Sequence, residues 1–433
     1  IMKGDYGDSL DNRDILTRMA SLRVQRARLL GYPTHAHFVL EENMAKTPDR
    51  VYEFLDQLWV PALARAKAEA AEFQAMIDAE GGGFKLQPWD WWYYAEKVKQ
   101  AKYALEDEQL RPYFALDNVR QGAFDVANKL WGLTFHERTD IPLYHPDAQL
   151  YEVREADGTH VGLLTTDYYP RDSKRFGAWM SSFRKQSRRG GQMVTPIICN
   201  VYNFTLPSGD QPALLSLDEA ETLFHEFGHG LQGLLSNCTY DRLSGTAVTR
   251  DYVELCSQIM ENWATEPVVI KSYARHWHTG EPIPDDLVER IQNARLFNQG
   301  FATVEYLAAS YLDMDWHTME DAELRNPREF EDAALTRIGL IPEIVTRYRS
   351  TYFQHIFSGG YSAGYYSYIW AEVLDADAFQ AFKETSLFDQ ETARAFRENI
   401  LETGGTEDPM TLYLRFRGRE PGIEPLLKRR GLD

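Results

Sequence analysis

The chain is poor in cysteine, poor in basic charge relative to acidic, and has no long apolar run. Three cysteines, Cys199, Cys238 and Cys256, in 433 residues cannot build a disulfide framework, so stability has to come from a packed core. Lysine and arginine number 46 against 65 acidic residues, for a formal net charge of -19. That balance excludes a nucleic-acid surface, which needs a basic patch to meet phosphates. The most basic loop, Ser187-Arg188-Arg189-Gly190-Gly191, reads as a solvated turn. No apolar stretch approaches the roughly 20 residues of a membrane-spanning helix, so no membrane partner is expected. No signal-peptide pattern is visible, which points to the cytoplasm, with the periplasm as the alternative. Internal repeats and low-complexity segments are missing as well. What is present is apolar: 44% hydrophobic residues, 13% aromatic, enough for a large core.

One stretch carries chemistry, His225-Glu226-Phe227-Gly228-His229. Residues four apart on a helix lie above one another, so His225 and His229 can bind one metal ion through their imidazoles. Glu226 then stands beside that ion, where a carboxylate can take a proton from water, as in zinc peptidases carrying H-E-x-x-H. Ser216 followed by Glu219 predicts a capping box, and Leu217, Ala220, Leu223, Phe224, Phe227, Leu231, Leu234 and Leu235 trace one buried stripe. A tight site needs a third ligand. Glu254, 25 positions beyond His229, lies in Asp251–Trp263, which reads as a second helix ended by Pro267, and is assigned to the metal. Glu261 shares a face with Glu254 and reads either as the group that orients a histidine or as a solvated carboxylate. Cys256 falls on another face and reads as packing. Two imidazoles and a carboxylate suit one Zn2+, and cobalt or manganese could use the same ligands. His276 and His278, two apart, cannot share a helix face, which argues against a second metal site.

Elsewhere the pattern is mostly helical. Helices are expected from Asn12 to Leu30, from the Thr47-Pro48 cap to about Ala79 with a kink at Pro61, from Trp89 to Leu105, and from Asp117, as cap, to Leu130. The period then changes. Leu150–Arg154 and His160–Tyr168 flank Asp157-Gly158 as a hairpin, and Ile197–Phe204 adds a strand. The edge of such a sheet can pair with an extended peptide, or the hairpin can be purely structural. Ser244-Gly245-Thr246 reads as an ordinary turn or as backbone offered to substrate. Helices resume from Pro284, broken near Asn326-Pro327, Pro342 and Gly359-Gly360.

Leu223–His229, Ser244-Gly245-Thr246 and Asp251-Tyr252-Val253-Glu254 together resemble the thimet oligopeptidase and peptidyl-dipeptidase Dcp family of zinc metallopeptidases. The resemblance runs from about Asn12 to Leu432 and includes Met44-Ala45-Lys46-Thr47-Pro48, Arg171-Asp172-Ser173-Lys174 and Gly177-Ala178-Trp179. Late in the chain, His355-Ile356-Phe357-Ser358-Gly359-Gly360-Tyr361 has the spacing of the peptidyl-dipeptidase branch; the oligopeptidase branch is one residue shorter. The resemblance implies that His355, Tyr361 and Tyr368 face the zinc and contact the substrate and the developing oxyanion, and that Tyr365 contacts substrate. Chemically, a phenol is a neutral donor suited to an oxyanion, and Gly359-Gly360 lets a loop approach substrate backbone or hinge. Without the resemblance these tyrosines would read as a packed aromatic stripe, which remains the reading for Tyr366 and Trp370.

The fold class so implied is mainly α, an elongated helical zincin-like metallopeptidase with a small β-sheet beside the zinc helix. It is expected as one catalytic domain in three stretches: 1–132 helical, 133–215 the sheet region, and 216–433 the helical zinc- and substrate-binding part. Family members carry a helical region ahead of the position matching Asn12 that forms part of one channel wall. Here it reads as missing, through a natural short form, a fragment, or a partner chain carrying that part. The implied activity is hydrolysis of short peptides with release of C-terminal dipeptides; Arg347 and Arg349 are near enough to His355 to test as carboxylate binders, but the sequence favours reading them as salt-bridging surface arginines. The alternatives are an oligopeptide endopeptidase and, in another class, a non-catalytic peptide-binding helical protein.

Overall fold

The structure, a computed structural model, describes residues 2–5 and 7–433. It divides into two compact units, one of Ile1–Ala104, Ala294–Trp370 and Leu426–Asp433, the other of Leu105–Asn293 and Ala371–Pro425.

The first unit is helical. Its longest element, Pro48–Ala79, starts where proline costs nothing, at the first helical position, and the Thr47 side chain accepts from Arg50 N–H at 3.3 Å. The helix is one element through Pro61, where the sequence reading expected a kink. Val51, Leu55, Leu58, Ala62, Ala66, Phe73 and Ile77 form its buried face, each with no measurable exposure. Burying a side chain such as Leu58 or Phe73 contributes about 1.5–3 kcal/mol. That face packs on the helix Gln299–His317. Gly300 permits the approach, since a Cβ there would lie 2.4 Å from Ala66 N, and the Glu69 carboxylate accepts from Gly300 and Phe301 N–H at 3.0 and 2.8 Å. Leu16, Ala20, Val24, Leu312, Trp316, Phe353, Ile356 and Tyr365 complete a core beside it.

The second unit carries a five-stranded sheet of order β1-β2-β3-β5-β4: β1 Thr134–Glu137, β2 Gln149–Arg154, β3 His160–Asp167, β4 Trp179–Arg184 and β5 Ile197–Val201. The β2–β3 hairpin turns at Asp157-Gly158 as expected, with Gly158 at φ 86°. β3 and β5 are parallel, and β4 pairs antiparallel with β5 at the edge. The sequence reading had no strand at β4, because its residues are half-buried or exposed and leave no alternating apolar signal.

Two boundaries differ from expectation. The helix expected to be capped by Asp117 starts at Leu116, whose N–H donates to Ala213 O at 2.9 Å; this remote carbonyl does the work of a cap, and Asp117 sits in the first turn. The helix expected over Asp251–Trp263 is two, Arg250–Val253 and Leu255–Thr265, with Glu254 at the junction. Pro267 opens the next helix, Pro267–Tyr273. Among the described residues no helix is long and apolar enough to cross a membrane.

Candidate metal centre

The helix Leu217–Leu235 opens with the expected capping box, Ser216 and Glu219 satisfying each other's backbone N–H groups. It lies against the sheet without room for side chains at its glycines. A Cβ on Gly233 would sit 2.7 Å from Ile198 Cδ1, while Phe227 packs against Phe124 and Phe135 with ring centroids 5.6 Å away. On another face the helix meets Leu255–Thr265. A Cβ on Gly228 would lie 2.1 Å from Cys256 O and 2.8 Å from Ser257 Cα. The glycine inside the histidine motif is therefore what lets the two helices come close enough for Glu254 to reach the histidines.

The outcome is a converging triad. Nε2 of His225 lies 3.4 Å from Glu254 Oε2, and Nε2 of His229 lies 3.1 Å from the same oxygen. Among the described residues these three form the group of possible ligands whose atoms all lie within 4.8 Å of one another. Donors held about 2.0–2.1 Å from a tetrahedral ion stand about 3.3 Å apart, so the observed separations are those of two edges of such a tetrahedron. Two imidazole nitrogens and one carboxylate oxygen fit a borderline divalent cation in charge, donor type and spacing.

Around the triad, Ser257 and Asn200 are buried, and Glu261 is partly exposed. His225 Nδ1 is 2.6 Å from Glu261 Oε1, so a proton on Nδ1 leaves the lone pair on Nε2, facing Glu254. Ser257 Oγ donates to both Glu254 Oε2, at 3.0 Å, and Glu254 O, at 2.9 Å, fixing the carboxylate at the helix break. Asn200, 1% exposed, donates from Nδ2 to Glu226 O at 2.8 Å. Glu226 itself is 5% exposed and its Oε2 has no hydrogen-bond partner among the described residues. An unsatisfied buried carboxylate costs stability, and groups of this kind cluster at functional sites.

The electrostatics follow. Burial raises the pKa of Glu226, and the two imidazoles oppose this without cancelling it. Burial raises that of Glu254 too, but the charge of His229 and hydrogen bonds from His225 and His229 overcome it and hold the carboxyl well below the usual range. At His225 burial disfavours the cation, yet hydrogen bonds to Glu254 and Glu261 lift the pKa well above that of a free imidazole. The centre thus favours positive charge between its ligands, which a divalent cation supplies.

The other residues singled out in the sequence lie as follows. Gly245, at φ 63°, is buried; its would-be Cβ lies 3.2 Å from Gly233 Cα, and its N–H donates to Ser236 Oγ at 3.0 Å. In the first unit, His355, Tyr361, Tyr365 and Tyr368 form one cluster. The His355 ring lies 5.8, 5.3 and 6.4 Å from Tyr361, Tyr365 and Tyr368, and Tyr361 stacks on Tyr368 at 5.0 Å. Burial, and then the charge of Arg347, lower the pKa of His355. Arg349 pairs with Glu331 at 2.9 Å, so its charge is spent on that partner. Gly359 and Gly360 are exposed, and a Cβ on Gly359 would meet His355 O at 2.8 Å. Tyr366 is fully buried against Trp370, as the packing reading had it. Ser257, Asn200 and the close approach at Gly228 were not singled out in the sequence; only the glycine inside the motif offered a signal.

Residues 2–432 match the family described as Peptidase family M3. The chain is 46% identical over 434 residues to the dipeptidyl carboxypeptidase of Salmonella typhimurium, covering 100% of this chain and 64% of that protein. It is 44% identical over 434 residues to the dipeptidyl carboxypeptidase of Escherichia coli, covering 100% and 63%, and 38% identical over 438 residues to oligopeptidase A of Salmonella typhimurium, covering 99% and 64%. The chain therefore spans a little under two thirds of the length of these relatives. Among solved structures it resembles the M32 carboxypeptidase of Deinococcus radiodurans, with a TM-score of 0.56 at 15% identity over 96% of this chain and 72% of that one. It also resembles PZ peptidase A, with a TM-score of 0.55 at 13% identity over 97% and 65%. At those identities the likeness shows a common fold.

Proposed function

Since the chain belongs to peptidase family M3, we propose that it is a zinc-dependent peptidase that hydrolyses oligopeptides and releases dipeptides from their free C-terminal ends. The observation that carries this reading is the convergence of His225 and His229 on a single oxygen of Glu254, with the buried carboxyl of Glu226 next to them in the motif. The dipeptidyl carboxypeptidases among the relatives and the spacing from His355 to Tyr361 favour the exopeptidase. The 38% identity to oligopeptidase A supports an endopeptidase as the second reading.

His225, His229 and Glu254 would hold one zinc ion, with Glu261 setting the ring of His225. Bound there, the ion supplies Lewis acidity, polarising a peptide carbonyl and making water easier to deprotonate. Glu226 is the general base: burial has raised its pKa toward the range where a carboxylate takes a proton effectively, and it returns that proton to the leaving amine. Tyr361, Tyr368 and His355 are assigned as donors to the oxyanion, and Tyr365 with the backbone of Gly359, Gly360 and Gly245 to binding substrate. Arg347, whose charge is felt at His355, is assigned the substrate carboxylate in preference to Arg349. Glu226→Gln should keep the metal and lose turnover, and substantial residual activity would falsify the general-base role. Matched peptides with free and amidated C-termini separate the two peptidase readings, because the exopeptidase should lose most of its rate on the amide.

A further inference from the structure

The loop that carries Tyr361 and Tyr365, and leads into the helix Ser367–Glu384 that bears Tyr368, is held from beneath by a fully buried carboxylate that the reading above does not use. Asp313, on the helix Gln299–His317, has no exposure. Its Oδ1 accepts from Ala363 N–H at 2.9 Å, and its Oδ2 accepts from Gly364 and Tyr365 N–H, both at 2.9 Å. Three successive backbone donors thus close on one side chain. The loop they fix is not one the backbone prefers, since Ala363 lies at φ 50°, a conformation that costs roughly 1–2 kcal/mol for a residue with a Cβ.

A second tier holds the carboxylate. His317, 1% exposed, places Nδ1 2.8 Å from Asp313 Oδ1, and its Nε2 lies 2.7 Å from Nη1 of Arg23. A guanidinium only donates, so Nε2 is the acceptor, and the ring is the tautomer that donates from Nδ1 to Asp313. The same logic repeats beside it. Arg26 Nη2 lies 3.3 Å from His35 Nδ1, which leaves Nε2–H of His35 to donate to Ser362 Oγ at 3.0 Å. His35 and His317 are both buried, their rings 5.0 Å apart. Two arginines from the helix Arg13–Leu29 therefore fix the tautomers of two histidines, and each histidine holds one part of the tyrosine loop.

We propose that Asp313, backed by His317 and Arg23, is a positioning group for the reaction: it sets the conformation of residues 361–365 so that Tyr361 and its neighbours meet the substrate in the geometry the transition state needs. The proposal rests on the reading of that loop as substrate-contacting. It predicts a loss in kcat rather than in KM, because phenols displaced by a fraction of an ångström still touch substrate but no longer stabilise the developing charge.

The test is a mutant cycle in the full chain on a short peptide. Asp313→Asn offers one acceptor oxygen and an NH2 that opposes the loop donors, and should lower kcat on the order of 100-fold with KM within about threefold. Tyr361→Phe should also lower kcat, and the double variant should stay within about threefold of Tyr361→Phe alone, because both changes remove one contribution. Losses that multiply, or a normal Asp313→Asn, overturn the proposal. A fully active Tyr361→Phe would instead overturn the reading of the loop, and the coupling with it. If Asp313→Asn does not fold, position 317 decides: His317→Asn keeps a donor where Nδ1 stood and should hold kcat within about threefold, whereas His317→Ala should lose about tenfold or more. Equal activities of those two variants, metal content being equal, would overturn the proposal.

Discussion

Gly228→Ala should damage the metal centre although Gly228 touches no metal. The added Cβ would lie 2.1 Å from Cys256 O, whereas ordinary contact begins near 3.4 Å, so the two helices must part by about 1.3 Å. Glu254 stands two residues before Cys256, and its Oε2 lies 3.1 Å from His229 Nε2. Metal–ligand distances tolerate only about 0.2 Å, so a shift several times larger takes the carboxylate off the ion. Losing an outer-shell partner alone weakens metal binding about 10–100-fold. Losing a ligand should therefore cost at least about 100-fold, some 2.7 kcal/mol of binding. Overpacking should also lower folding stability by about 1–3 kcal/mol. Competition with a chelating dye measures the first and urea unfolding the second. Gly83→Ala is the control, with nothing within 4 Å of its Cβ, and should change neither. A Gly228→Ala protein that is destabilised but binds metal like the parent would refute the claim that this close approach sets the site.

Two further outcomes follow from the same structure. Glu261→Gln replaces the carboxylate 2.6 Å from His225 Nδ1 with an amide and should weaken metal binding about 10–100-fold; unchanged affinity by the same dye competition would make Glu261 a bystander. His35 is 1% exposed, and burial together with the nearby His317 and two arginines lowers its pKa to about 2. Unfolded, it titrates near 6.5, so below that pH the unfolded chain binds a proton the folded one refuses, and stability falls as pH falls. From pH 6.5 to 5 the loss should be about 1.6 kcal/mol, seen in urea midpoints, and His35→Gln should remove it. Parallel pH profiles for the two proteins would contradict this.

What could be read from the sequence was whatever the chain encodes locally. The capping box at Ser216 and Glu219, the Thr47-Pro48 start, the Asp157-Gly158 turn and the pairing of His225 with His229 all depend on residues within a few positions of each other. Glu261 was read, from a helix face shared with Glu254, as an orienting group or a solvated carboxylate; that face is broken at Glu254, and Glu261 Oε1 stands 2.6 Å from His225 Nδ1. The misses depend on remote partners. The break at Glu254 is hidden because Tyr252, Val253, Leu255 and Cys256 are all buried and the apolar pattern runs through it. Leu116 is capped by a carbonyl 97 residues later. Asp313 is one of three acids on its helix, with Glu305 and Asp315, and its role emerges only when Ala363, Gly364 and Tyr365 arrive above it.

The central claim is that His225, His229 and Glu254 hold one divalent cation together, and metal analysis of the purified chain tests it most directly. The protein should carry one zinc per chain, and Glu254→Ala, folded by circular dichroism, should carry almost none after the same dialysis. A zinc-free parent, or a Glu254→Ala variant that keeps a full equivalent, would contradict the account.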